Sequence, residues 1–134
     1  MAEVEGAEKP GQAPHDRLVA MARALAAVLE SDRDRNLVLL IGYSALPPEK
    51  RDNVRQPLLW LHAFFRDALA ARLPRLKAHP DIADGAAASL LSVIGTRALW
   101  GDLAGGLSAA DHAKLATESV IEGAKLEMGA RRKR

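Results

Sequence analysis

The side chains able to do chemistry in this chain are few, and their spacing does not serve it. Histidine is the usual acid, base or metal ligand at neutral pH, and there are four: His15, His62, His79 and His112. No two stand three or four residues apart, and none lies in a ligand-like motif with Asp or Glu, so no metal site is expected. Asp67 and Asp84 lack the neighbours that would support acid–base work. The chain has no cysteine, which excludes disulfides, Cys-liganded zinc and thiol catalysis together. It also lacks a glycine-rich strand-to-helix loop that could cradle a phosphate. Neither an enzyme nor a cofactor carrier is expected.

What remains is recognition. Trp60, Phe64 and Phe65 share one predicted helix, and Tyr43 and Trp100 come from neighbouring segments. With the polar groups His62, Arg97 and Ser44 among them, they could line an apolar ligand pocket between helices. Packing into the core is the commoner use of aromatics at helical spacing. Arg97 lies one turn from Ile94 and Trp100. It could meet an acidic group on a ligand, or pair with Asp102 at the turn that follows, where surface pairs contribute little. The run Arg131-Arg132-Lys133-Arg134 is basic. Such a run can touch an anionic surface, but cations also suit a helix C-terminus, which is the simpler reading.

The elements that must position these residues centre on Pro80 to Met128. Asp81–Trp100 and Ser108–Met128 read as two small-residue-rich helices, separated by a break that ends in Gly105-Gly106. Ser108 restarts the helix with Asp111 three residues on, the spacing of a capping box. On a helical wheel, Ala113, Ala116, Val120, Gly123 and Ala124 share one face of the second helix, flanked by Thr117, Ile121 and Met128. Leu115 and Leu126 fall together on a different side. A surface helix needs a single apolar stripe, and this one has more. In the first helix, Ser89, Ser92 and Thr96 form a small, weakly polar row with Gly85. Small rows let helix backbones approach closely. The expected dimer interface is therefore Ser89, Ser92 and Thr96 with Ala113, Ala116, Val120, Gly123 and Ala124, two hairpins making an intermolecular four-helix bundle. The alternative is that both helices are simply central in a monomer.

The other bounds agree with a helical domain. A chain of 134 residues is long enough for one domain with a core. Hydrophobic residues make up 49%, with Ala and Leu prominent and only five aromatics, which favours an all-α fold. Nineteen basic and 17 acidic residues leave a net charge of +2, too balanced to imply nucleic-acid binding by itself. No apolar run approaches the ~20 residues of a membrane span, and the acidic start lacks a signal peptide's apolar core. A cytoplasmic location follows as the expectation.

Along the chain, residues 1–14 are acidic and rich in Gly and Pro, and read as a disordered leader. From His15 or Asp16 an amphipathic helix runs to about Glu30, through Leu18, Met21, Ala22, Leu25, Val28 and Leu29. A polar turn follows, and then the apolar run Asn36 to Leu46. Leu37–Ile41 within it could form a strand, but no second strand exists to pair with it, so a short buried helix is expected. Pro47-Pro48 ends this segment, and Pro48 can open the next helix. Pro57 should kink that helix or restart it. Beyond it Leu58, Leu61, Phe65, Ala68, Leu69 and Leu73 recur with helical period. The sum is five or six helices and no strand: a helical domain over 15–128 with a basic tail at 129–134.

This order of elements resembles a known family. An amphipathic helix, a D-x-D turn (Asp32-Arg33-Asp34), a buried helix and a proline break lead to a long aromatic helix. His79-Pro80-Asp81 then opens an alanine-rich helix with a mid-helix glycine, followed by a final amphipathic helix. From Arg17 to Met128 the pattern is similar to the C-terminal regulatory domain of tetracycline-repressor-like (TetR-family) transcription regulators. The likeness lies in helix order, lengths and texture. It implies a domain that binds small, mostly apolar ligands among its helices and homodimerises through its last two. Those regulators carry a three-helix DNA-reading head before this domain, and no such stretch precedes residue 15 here. Direct binding to nucleic acid is therefore not expected, nor is a membrane. The alternative function is a helical interaction protein with no ligand, pairing with another regulator through the same two helices.

Overall fold

A computed structural model describes the backbone of residues 2–6, 11–103 and 105–134, and their side chains except at 2, 37–41, 44 and 102. The described chain is all-α. Six helices follow in order: α1 (Ala2–Gly6), α2 (Pro14–Ser31), α3 (Arg33–Gly42), α4 (Pro48–Arg72), α5 (Pro80–Trp100) and α6 (Ala109–Arg132). Short 3-10 turns occupy Tyr43–Ala45, Pro74–Ala78 and Gly101–Leu103.

Prolines set three of the helix starts. Pro14, Pro48 and Pro80 each stand in the first turn, where the missing N–H costs no hydrogen bond. Pro74 ends α4 in the same economical way. Ser108 caps α6, its hydroxyl accepting from the Asp111 amide at 3.1 Å as the spacing predicts. Between α5 and α6, Gly105 and Gly106 hold φ of 68° and 83°, a left-handed conformation open to glycine at little cost.

The core lies between α2, α5 and α6, with the second half of α4 packed against α5 and α2. Leu18, Met21, Phe65, Leu69, Leu76, Leu90, Ile121 and Met128 are its largest fully buried side chains. Thr117 is also fully buried, and its hydroxyl is satisfied by the Ala113 carbonyl one turn back. The hairpin is antiparallel: Asp81 at the start of α5 meets Arg131 at the end of α6.

Several expectations need correction. Residues 2–6 of the expected leader form a helix, because Val4 finds a fully buried place against the core. Residues 1 and 7–10 of that leader lie outside the described residues. The apolar run after the polar turn is helical, as α3; whether Leu37–Ile41 are buried lies outside the described side chains. Of the two outcomes expected at Pro57, a new helix is not found: α4 runs through it as one helix of 25 residues. The burial pattern changes there instead. Val54 is half-buried and Leu58 is 51% exposed, whereas Leu61, Phe65, Ala68 and Leu69 are buried. At the other end α6 continues past Met128 to Arg132, so most of the expected basic tail is helix.

Candidate functional site

An open, largely apolar groove of about 410 Å³ runs between α5 and α6. Ile82, Gly85, Ala86 and Ser89 form its α5 wall, and Val120, Gly123, Ala124, Glu127 and Arg131 its α6 wall. Residues 85–96 of α5 carry no charge at all. The hydroxyls on this side are turned back onto their own helix: Ser89 donates to the Gly85 carbonyl at 2.8 Å, and Thr96 to the Ser92 carbonyl at 2.7 Å. A hydroxyl satisfied in this way presents mainly carbon to whatever approaches. Neither Gly85 nor Gly123 has an atom within 4 Å of where a Cβ would stand, so both leave the surface recessed.

Of the residues expected at a dimer interface, Ser89, Val120, Gly123 and Ala124 line this groove. Ser92 is exposed and Thr96 half-buried further along α5. Ala113 and Ala116 are buried within the chain's own fold, as is most of Ala124, because they face α2 and α5 rather than solvent. Burial thus moves the free surface of α6 away from the alanines. It lies instead toward Leu115 and Leu126, which are 54% and 75% exposed, with Val93 of α5 at 38%. The signal for this was present in the sequence: two leucines stood apart from the alanine face.

The expected ligand residues are dispersed. Trp60 stacks on Phe64 with ring centroids 5.0 Å apart, and Phe64 meets Phe65 edge-on at 6.5 Å. Phe65 is fully buried core. His62 is a brace, its Nε2 at 3.0 Å from the Asp84 carbonyl of α5. Tyr43 is half-buried in the 3-10 turn after α3. Trp100 is 59% exposed at the end of α5. Ser44 lies outside the described side chains. Arg97 does line a cleft, together with Glu30, Arg33, Ala98 and Gly101. Its Nη2 donates to the Leu107 carbonyl at 3.0 Å; the expected Asp102 partner has its side chain outside the described set.

The remaining histidines are structural in placement. His15 Nδ1 accepts from Arg72 Nε at 3.3 Å, linking α2 to α4. His79 occupies the N-cap position of α5 without a side-chain cap bond, and His112 is half-buried in the first turn of α6. No group of three or more His, Asp or Glu able to hold a metal occurs among the described residues. The basic end of the chain is partly engaged: Arg131 pairs with Asp81 and Glu127, and Arg134 lies 3.4 Å from Glu127.

These observations define an all-helical domain built around an antiparallel hairpin with an uncharged outer groove. Residues 11–124 match the family model described as tetracyclin repressor-like, C-terminal domain, and the chain belongs to that family. No curated protein and no solved structure matches it significantly.

Proposed function

We propose that this TetR-like regulatory domain homodimerises through the α5–α6 groove and responds to a small apolar or aromatic ligand. The observation that carries the dimer is the outer face of α5, without charge from residue 85 to 96 and with the Ser89 and Thr96 hydroxyls satisfied internally. Val93, one turn beyond Ser89 on α5, adds exposed apolar surface there, whereas Leu115 and Leu126 are exposed on a different side of α6. Left in water, such a face has no reason to be uncharged; covered by a second copy, it buries apolar area at little polar cost.

By length and composition α5 is also apolar enough to cross a membrane. Its packing against α2, α4 and α6, together with Asp81, Asp84 and Arg97 held in polar contacts, favours the role of a helix shared between domain core and dimer. Ligand sensing rests on family membership and on the half-exposed Trp60–Phe64 stack, beside the exposed Leu58 and Leu59. A ligand shifts the helix arrangement only by binding one arrangement better than another. The basic end of the chain is given no nucleic-acid role, since two of its arginines are already paired.

Light scattering at several concentrations tests the dimer. A mass near twice 14.4 kDa that persists on dilution supports it. A clean monomer would leave the groove to a different partner, the reading in which the chain is an interaction module without a ligand. Thermal melts against a panel of apolar and aromatic compounds test sensing, through stabilisation that grows with concentration.

A further inference from the structure

We infer that the cleft beside Arg97 is a carboxylate site, so that the ligand of this domain is a small organic acid. The inference rests on the ligand-sensing half of the proposed function, to which Arg97 belongs, and adds the ligand's chemistry. The cleft, of about 120 Å³, lies at the junction of α2 and α3 against the end of α5. One water needs only about 10–15 Å³ of such space, so the cleft has room for a small organic acid.

Three features point to an anion. First, Arg97 Nε and Nη1 are enclosed and have no hydrogen-bond partner among the described residues. Only Nη2 is engaged, at the Leu107 carbonyl. An always-charged guanidinium with two N–H groups shut off from water demands an acceptor, and Arg97 is one of the residues that line the cleft. Second, Arg33 brings another guanidinium to the same cleft, held by its bond to the Ala98 carbonyl at 3.2 Å. It passes close to Gly101, where a Cβ would stand 3.3 Å from Arg33 Nη2 and press on it. Third, the charge balance selects a monoanion. Two arginines oppose Glu30 and the roughly half-unit negative end of α5, leaving about half a unit of positive charge, nearer to balancing one negative charge than two. A carboxylate departs from that balance less than a doubly charged phosphate does, and it suits the planar fork of arginine.

The cleft also has the right place for signalling. A carboxylate bound there would tie the α2–α3 junction to the tip of the hairpin, and α5 is the helix that carries the uncharged face.

The test compares benzoate with benzamide, which has the same shape without the charge, by thermal melts and calorimetry at fixed ionic strength. Benzoate is expected to stabilise the protein in proportion to its concentration, and benzamide far less. Arg97→Gln should weaken benzoate by roughly tenfold or more, and Glu30→Gln should strengthen it by removing a like charge. Should Arg97→Gln fail to fold, Gly101→Ala provides a second probe, since its methyl presses on Arg33 and should also weaken benzoate. Equal stabilisation by both compounds, unchanged in the Arg97 and Gly101 variants, overturns the carboxylate site while leaving ligand sensing intact. Stabilisation by neither overturns the carboxylate site, and the wider compound panel then decides whether sensing survives.

Discussion

Asp81 and Arg131 close the hairpin end to end. Two bonds run between them, Nη1 to Oδ1 at 3.0 Å and Nη2 to Oδ2 at 2.6 Å, across fifty positions of sequence. The pair joins the first turn of α5 to the last turn of α6, where each charge also opposes the local helix dipole. Glu127, one turn earlier on α6, steadies Arg131 from the other side at 3.5 Å. Hydrogen bonding from Arg131 holds the Asp81 carboxyl at about 2, below its ordinary 3.8.

The sign of the pH dependence follows. A carboxylate with a depressed folded-state value contributes stability that is complete above its unfolded value and is lost as pH falls toward the folded one. The Asp81–Arg131 contribution should therefore be intact above pH 4 and vanish as pH approaches 2. Melting curves of the parent and Asp81→Asn should differ at pH 6, with the variant lower, and converge near pH 2. The pair is solvent-exposed, so salt should shrink the difference. A gap that persists unchanged at pH 2 would remove the ion pair as its cause.

Ser108→Ala should destabilise the fold by about 1 kcal/mol, the usual cost of deleting an N-cap oxygen. The Asp111 amide loses its only cap acceptor among the described residues, and α6 begins with an orphan donor. Ser108→Asp should retain most of the stability, because its carboxylate can accept the same bond. Thermal denaturation of the three proteins decides this.

How far the sequence reached depends on what each feature requires. Helix limits were legible where the cause is local: Pro48, Pro80, Gly105 and Ser108 act through their own backbone or cap, and each does what its residue type implies. The helical state of α3 followed by elimination, since a lone strand has nothing to pair with. Burial was less legible. Val4 becomes core only because α1 meets α2, and no periodicity is visible in five residues. Ala113 and Ala116 looked free because alanine suits both a dimer face and a tight contact within one chain; only the position of α2 decides between them. The groove was half visible, through Ser89, Val120, Gly123 and Ala124, while the Arg33–Arg97 cleft joins residues 64 positions apart and left no trace in local spacing.

Two positions of α4 test the change of environment at Pro57. Leu58 and Phe65 belong to the same sequence pattern, yet Leu58 is half in water and Phe65 fully enclosed. Phe65→Ala should cost about 3–5 kcal/mol, through lost burial and the cavity left behind. Leu58→Ala should change stability by no more than about 0.5 kcal/mol, as exposed substitutions usually do. Urea titrations with unchanged slopes would give both values directly. A Leu58→Ala cost comparable to that of Phe65→Ala would show that Leu58 is covered in solution, by a ligand or a second chain.

Gly123 separates the needs of the monomer from those of the dimer. It lies inside α6, on the groove wall, with open space where its side chain would be. Within one chain, Gly123→Ala removes the entropy cost of a mid-helix glycine and should stabilise α6 by about 0.8–1 kcal/mol. Across a dimer, the same methyl occupies the recess into which a second hairpin would settle. Gly123→Ala should therefore loosen association while the monomer becomes more stable, two effects of opposite sign from one substitution. Gly123→Arg exaggerates the second: helix content by circular dichroism should be preserved, and the mass by light scattering should fall to that of one chain. If a dimeric parent remained dimeric with arginine at this position, the α5–α6 groove would not be its interface.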